Sequence, residues 1–235
     1  MQIQFAVAKI SKYASSESGD TLEMVERPLG GLSIVLVDGQ RSGKAAKAIS
    51  NVVARKAIQL LAEGVRDGAA ARAAHDYLYT YRGGKVSATL NILSVDAVTK
   101  TFVISRNNEA PVIYYTDGGG LQLLDEPSQR VGVHRNTKPV ISEVPIVAGT
   151  AIAVFTDGLR HAGDYSGSNC YDPAAAFERM LSSGTIDAQE IADTLLAEAR
   201  AMDSGRPRDD ISVLVVYVHP DEGDSVRRMT ASIPL

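Results

Sequence analysis

Four strand-like stretches follow one another between residues 85 and 124, and their spacing restricts the possible folds more than any other feature of the sequence. They are rich in β-branched and aromatic residues and occupy residues 85–96, 100–107, 110–117 and 121–124. The turns between them, at 96–100 and 117–120, are short enough for hairpins. Strands that cluster in this way, without alternating helices, indicate antiparallel sheets rather than a doubly wound parallel sheet.

Further strands are predicted on both sides of this cluster. Apolar or alternating runs occupy residues 2–11, 32–38, 138–147, 150–157 and 209–218. The third and fourth of these runs are expected to form another hairpin through Ala148 and Gly149. Residues 15–31 are polar and carry turn residues, so they are expected to connect the first two runs.

Apolar residues at helical spacing predict two helices before the central cluster and two more before the last strand. The first two cover residues 44–63 and 67–81, with Asp67 as the N-cap of the second. The third begins after Asp172, an N-cap that is followed by proline, and the fourth begins after Asp187. The chain is therefore predicted to have an α+β fold with helices packed outside antiparallel sheets.

Composition favours one globular domain without a nucleic-acid or membrane partner. The chain has 235 residues, 45% of them hydrophobic, so residues 1–218 are predicted to form a single domain followed by a tail at 219–235. The net charge of −4, with both signs mixed, does not resemble a basic nucleic-acid-binding surface. The single cysteine, Cys170, allows no intrachain disulfide, and no stretch approaches the roughly 18 apolar residues of a membrane span. A cytoplasmic protein is expected.

The segment around Gly43 and Lys44 suggests a nucleotide-binding P-loop, but its details disagree with that interpretation. A P-loop has the pattern GxxxxGK[ST], in which the final hydroxyl holds Mg²⁺. Here the loop from Gly39 to Gly43 is one residue short, and Ala45 has no oxygen to offer a metal. The predicted elements also lack βαβ alternation. Lys44 is therefore expected to lie exposed in the first turn of a helix.

Aspartates stand where strongly apolar strands begin or end. Asp38 ends one such strand, Asp157 ends another, and Asp209 and Asp210 precede the last one, while Asp20 follows a glycine in the N-terminal segment. If these strands are neighbours in the sheets, the carboxylates converge at one rim. Clustered carboxylates repel one another unless cations bind them, and hard cations such as Mg²⁺ and Mn²⁺ prefer oxygen ligands. The pattern predicts a metal site at this rim.

The dipeptide Asp-Gly is also common in ordinary turns, and the sequence contains its own comparison. Thr116-Asp117-Gly118 has the same letters as Thr156-Asp157-Gly158. The first set lies between two short strands and is predicted to be a hairpin turn. The second leads into a polar loop without an immediate partner strand, so Asp157 is the ligand candidate and Asp117 is structural.

In these residues and the strands around them, the sequence resembles the metal-dependent protein serine/threonine phosphatases of the PPM class, in particular their bacterial sporulation-phosphatase branch. The resemblance covers about residues 3–218 and rests on motifs in the family's order rather than on any single motif. These are SGD (18–20), VLVDGQRSGKAA (35–46), SATLNILSVD (87–96), SRNNEAPVIYY (105–115), AVFTDGL (153–159) and RDDISVLVV (208–216). It implies a four-layer α-β-β-α sandwich of two antiparallel sheets flanked by helix pairs.

The resemblance also implies roles for particular residues. Asp38 would bridge two Mn²⁺ or Mg²⁺ ions, the Gly39 carbonyl would bind one of them, and Asp157 and Asp209 would complete the other. Asp20 would contribute near the site through water. A metal-activated water would then hydrolyse phosphoserine or phosphothreonine. The expected partner is a phosphorylated protein, such as a small anti-sigma-antagonist-like protein in a partner-switching pathway.

One departure from the family leaves an alternative function open. Arg41 stands where the family has the second glycine of its loop, so it either strains that loop or offers a guanidinium to phosphate. The alternative is a catalytically weak or inactive relative that binds phosphoproteins as a regulator. No general acid is assigned to any of the four histidines: His75, His134, His161 and His219.

Overall fold

The computed structural model describes residues 1–164, 170–220 and 226–233, and the strands in these residues form two five-stranded antiparallel sheets. The first sheet has the order β1-β10-β9-β6-β7, formed by β1 (Gln2–Ile10), β10 (Ile211–His219), β9 (Ala151–Phe155), β6 (Val112–Thr116) and β7 (Gly120–Leu124). The second has the order β2-β3-β4-β5-β8, formed by β2 (Asp20–Glu26), β3 (Leu32–Asp38), β4 (Leu90–Asp96), β5 (Thr101–Asn107) and β8 (Val140–Pro145).

The helices lie outside the sheets in two groups. The first group packs on the second sheet and consists of α1 (Gly43–Ala62) and α2 (Asp67–Arg82). The second group packs on the first sheet and contains α4 (Pro173–Ser182) and α5 (Ala188–Met202), with the one-turn helix α3 (Asp157–Arg160) directly after β9. The result is the predicted four-layer α-β-β-α sandwich. Among the described residues, no helix combines the length and the apolar character that crossing a membrane requires.

Side-chain alternation along the central strands explains why their sequences are apolar throughout. Successive side chains of a strand point to opposite faces of its sheet. In β3, Val35 and Val37 pack against α1 and α2, whereas Ile34 and Leu36 pack into the core between the two sheets. Because both faces are covered, both sets must be apolar. The molecule therefore has one core between the sheets and one beneath each helix group.

Three details of the predicted topology are wrong. Residues 15–31 contain β2, an edge strand whose alternating polar residues resemble a loop. The strands β8 and β9 do not form a hairpin, because β8 pairs with β5 in the second sheet while β9 belongs to the first. Asp67 is not the N-cap of α2, since Arg66 holds that position. The Asp67 carboxylate instead accepts hydrogen bonds from the side chains of Arg27 and Ser94.

Candidate active site

The sandwich brings the predicted aspartates together at one end of the two sheets. Asp20 and Asp38 are direct cross-strand partners at the end of the β2–β3 pair. Asp157 follows β9 and Asp209 precedes β10, and these two strands are neighbours in the other sheet. Hydrogen bonds join the sheets here, because Thr156 Oγ1 donates to Asp20 Oδ2 at 3.0 Å.

Asp20 is the most deeply buried of these carboxylates, with 1% of its surface exposed. Ser212 Oγ also donates to its Oδ2, at 2.6 Å, whereas its Oδ1 has no hydrogen-bond partner among the described residues. Burial raises the pKa of Asp20 to about 6, although the hydrogen bond from Ser212 opposes the shift. The side-chain ammonium groups of Lys9 and Lys47 both donate to the Asp20 backbone carbonyl. A buried carboxylate oxygen without a donor is suited to a cation or to water held by one.

Asp38 is the electrostatic centre of the cluster. Burial raises its pKa to about 9, and the negative charges of Asp20, Asp157 and Asp209 add to the shift. Without a cation, this carboxyl group therefore holds its proton at neutral pH. A hard divalent cation would replace the proton and relieve the repulsion among the four groups.

Arg130 is the protein's own cation at this site. Its Nη2 donates to Asp157 Oδ2 at 3.1 Å, and its Nε lies 3.7 Å from Glu109 Oε1. It also lowers the pKa of Asp38, against the larger effect of burial. Nothing in the sequence pointed to Arg130, because it lies in an irregular segment. The backbone of the next residue, Val131, is held by a bridge to Ala88.

The two adjacent aspartates before β10 have different surroundings. Asp210 is buried, and its two carboxylate oxygens accept hydrogen bonds from the backbone N–H groups of Lys12 and Gly19. Asp209 is exposed at the rim, and its Oδ1 accepts a hydrogen bond from the Asp210 N–H. Partial loss of solvent and the charge of Asp157 raise the pKa of Asp209. Asp210 therefore joins chain segments, while Asp209 remains available to a ligand.

The glycines after Asp38 and Asp157 are required for close packing rather than for a tight turn. Neither Gly39 nor Gly158 has a positive φ. A Cβ on Gly39 would lie 2.1 Å from the carbonyl oxygen of Ala46, and one on Gly158 would lie 2.2 Å from that of Asp210. The missing side chains thus allow α1 and the start of β10 to approach the two aspartates.

The first of the two Thr-Asp-Gly segments forms the predicted hairpin turn, whereas the ligand role of Asp157 stays a prediction. Asp117 lies in the turn that joins β6 to β7 and is exposed. It approaches Gly149, which precedes β9, whereas Asp157 follows that strand. Asp117 therefore lies at the opposite end of the sheet from the carboxylate cluster.

The donor atoms at this site are of the kind that divalent metal ions prefer, but the carboxylates are too far apart to coordinate one ion together. The donor set is made of hard oxygen atoms, one buried Asp20 oxygen is without a donor, and Asp38 holds its proton only because of burial and like charges. Within residues 1–164, 170–220 and 226–233, no three His, Cys, Asp or Glu side chains are arranged closely enough to hold a metal ion together.

The remaining candidates lie at the edge of the site or away from it. Arg41 is exposed and has a φ of +84°, a left-handed conformation that is costly for a residue with a side chain. The P-loop interpretation is excluded, because the strand before this loop, β3, pairs antiparallel with both of its neighbours and Lys44 is exposed in the first turn of α1. His75 is buried and accepts a hydrogen bond from the Gly132 N–H, so it supports the core rather than the site.

An antiparallel α-β-β-α sandwich with carboxylates gathered where the two sheets end defines the class of the PP2C-type phosphatases. The model of the family described as Stage II sporulation protein E (SpoIIE) matches residues 28–219, and the chain belongs to this family.

Three comparisons, with two known proteins, show the extent of the similarity. The chain is 20% identical over 219 residues to Stage II sporulation protein E of Bacillus subtilis. The aligned region covers 92% of this chain and 26% of that protein. A solved structure of the PP2C phosphatase domain and a regulatory fragment of the same protein has a TM-score of 0.79 at 21% identity, covering 93% of this chain and 63% of that one. The structure of RsbX in complex with magnesium has a TM-score of 0.69 at 18% identity, and the similarity covers 91% of this chain and 94% of that chain. The chain thus spans about a quarter of the curated relative.

Proposed function

We propose that this chain is a metal-dependent phosphoprotein phosphatase that hydrolyses phosphoserine and phosphothreonine. The observation that carries the proposal is the cluster around Asp38, in which burial and three neighbouring carboxylates raise the pKa of Asp38 to about 9. Carboxylates concentrated in this way, with Arg130 as the one cation paired to them among the described residues, favour binding of a hard cation. Family membership makes phosphoryl hydrolysis the chemistry that such a cation would serve.

The proposed metal ligands are Asp38, the Gly39 carbonyl, Asp157 and Asp209, with Asp20 contributing through water. Two Mn²⁺ or Mg²⁺ ions would supply a nucleophile from water at neutral pH and would stabilise charge on the phosphoryl group. The magnesium complex of the structural neighbour RsbX supports a divalent ion. In this chain, the hydroxyl groups of Thr156 and Ser212 fix the orientation of the Asp20 carboxylate.

The proposed substrate is a phosphorylated protein of a partner-switching pathway, for instance a small anti-sigma-antagonist-like protein. We also propose that residues 1–218 form a single phosphatase domain and that residues 219–235 are a tail. We propose further that the protein acts in the cytoplasm without a nucleic-acid or membrane partner. The net charge of −4 agrees with the absence of a nucleic-acid partner.

A second candidate function is phosphoprotein binding without efficient hydrolysis. Two observations favour it: Arg130 already pairs with Asp157, and the carboxylates are not closed into a ligand shell. In that case the guanidinium of Arg130 would compensate Asp157 in place of a metal. The protein would then bind phosphorylated partners with little turnover.

Hydrolysis of p-nitrophenyl phosphate with added Mn²⁺ separates the two functions. We expect the wild-type protein to show Mn²⁺-dependent turnover and Asp157→Asn to lose it by at least about a hundredfold, because a metal ligand is removed. Asp117→Asn is the matched control, since it changes the same Thr-Asp-Gly letters in an exposed turn at the other end of the sheet. Absence of Mn²⁺-dependent turnover, on protein substrates as well, would favour the binding function.

A further inference from the structure

A cavity of about 620 Å³ lies beside the candidate site, and its lining includes several basic residues. It is formed by two segments, the residues that follow β1 and the loop that follows α5. Among the residues that the structure describes, its lining contains the cationic side chains of Lys12, Arg206 and Arg208 and the carboxylate of Asp203. Such an excess of positive charge contrasts with the net charge of −4 of the whole chain.

Backbone contacts hold the cavity in its shape. The Tyr13 N–H donates to the Pro207 carbonyl at 2.8 Å, which ties the two segments together. The guanidinium of Arg206 lies 5.1 Å from the ring centre of the exposed Tyr13, a cation–π contact. The Asp203 carboxylate accepts hydrogen bonds from the backbone N–H groups of Gly163 and Arg208. Asp203 therefore stabilises the loop, while the side chains of Lys12 and Arg206 contribute positive charge to the cavity.

The cavity is joined directly to the carboxylate cluster. Arg208 is the residue before Asp209, and the Lys12 N–H donates to the Asp210 carboxylate at 2.9 Å. The positive charge of Lys12 also acts on Asp209, whose pKa it lowers against the larger effect of lost solvent. A peptide whose phosphorylated residue reaches Asp209 would therefore lay its neighbouring residues across this cavity.

We infer that this cavity binds an acidic segment next to the phosphorylated residue of a protein substrate. The inference rests on the proposed function and adds a substrate class to it, namely phosphoproteins with Asp or Glu flanking the phosphorylation site. The cations of the cavity attract such a segment, while the carboxylates of the cluster, once compensated by metal, hold the phosphate. The aromatic ring of Tyr13 gives the segment an apolar contact beside the charges.

The experiment compares two phosphoserine peptides that differ only in having glutamates or glutamines on both flanks. We expect wild-type protein with Mn²⁺ to have a kcat/KM about fivefold to tenfold higher for the glutamate peptide, and we expect added salt to reduce the difference. Arg206→Glu and the milder variant Arg206→Gln should abolish the preference and leave p-nitrophenyl phosphate hydrolysis unchanged. Arg66→Glu is the matched control, because Arg66 is exposed and lines a different cavity.

Binding of a fluorescein-labelled glutamate peptide without phosphate, measured by anisotropy in the absence of metal, tests the cavity independently of catalysis. Binding that weakens in Arg206→Glu but not in Arg66→Glu supports the inference. Equal kcat/KM for the two phosphopeptides, in a protein that hydrolyses p-nitrophenyl phosphate, overturns the inference and leaves the proposed function intact. If nothing is hydrolysed, the proposed function fails, and the anisotropy comparison alone decides whether the cavity binds acidic peptides.

Discussion

Replacement of Asp38 by asparagine should stabilise the metal-free protein while removing its response to metal. The pKa of Asp38 is raised from 3.8 to about 9, so at pH 7 the folded protein keeps a proton that the unfolded chain releases. Holding this proton costs about 1.4 kcal/mol per pH unit between 3.8 and 7, or about 4 kcal/mol as an upper limit. Because the effective dielectric at such sites is well above that of a dry protein interior, we take half of this limit, about 2 kcal/mol, as the expected cost. Asparagine keeps the shape of the protonated carboxyl group without this cost.

Thermal unfolding measures the effect directly. For a chain of 235 residues, about 2 kcal/mol corresponds to a rise in Tm of roughly 4–8 °C for Asp38→Asn in EDTA. With Mn²⁺ at about 100 times its Kd, wild-type protein should gain roughly 2.7 kcal/mol, whereas the variant should gain little. The order of the two Tm values should therefore approach equality or reverse when metal is added.

The matched control is Asp117→Asn, which removes an exposed carboxylate from a hairpin turn. We expect its Tm to stay close to that of wild-type protein both with EDTA and with Mn²⁺. An Asp38→Asn protein that is less stable than wild-type protein in EDTA would show that the carboxylates are not in mutual repulsion. Equal stabilisation of both proteins by Mn²⁺ would show that Asp38 is not a metal ligand.

Three further predictions concern the same end of the sandwich. Because the pKa values of Asp20 and Asp38 are raised in the folded state, the folded metal-free protein binds more protons than the unfolded chain. Its unfolding free energy should therefore fall as pH rises from about 4 to about 9. Urea titrations in EDTA that show a flat or rising trend would contradict this prediction. Arg130→Gln should bind Mn²⁺ several-fold more tightly in calorimetry, because the positive charge beside Asp157 is lost, and weaker binding would indicate that Arg130 instead positions that ligand. Arg41→Gly should raise the unfolding free energy by about 0.5–1 kcal/mol in urea, since its φ of +84° suits glycine, and a decrease would show that the side chain makes a stabilising contact.

Much of the fold could be predicted because its central strands carry a local signal. A strand buried on both faces is apolar throughout, as β3 and β10 are, and hairpins such as β4–β5 join neighbours along the chain. The errors fall where the local signal is weak or ambiguous. The edge strand β2 alternates between polar and apolar residues, and nothing local says that the chain crosses from one sheet to the other between β8 and β9.

The candidate site divides in the same way. The sequence predicts Asp38 and Asp157 as site residues, because each stands at the end of an apolar stretch. The structure gathers them at one rim with Asp20 and Asp209. The residues that act on these carboxylates were missed, because their contacts join distant segments. Arg130 is 27 residues from Asp157 in sequence, and no pattern in the sequence shows that they meet.

The architecture explains how the protein tolerates so much repulsion at one end. Each of the three apolar cores packs on its own, and the core between the sheets contains fully buried side chains such as Phe102 and Ile152. A fully buried side chain of this kind contributes roughly 1.5–3 kcal/mol, so a few of them offset the cost of the Asp38 carboxyl group. Because the carboxylates lie where strands end, a bound cation can relieve their repulsion without disturbing the packing of any core. The stability of the sandwich and the reactivity of its rim therefore depend on different residues. For this reason Asp38→Asn can raise the stability of the metal-free protein while abolishing the reactivity of the rim.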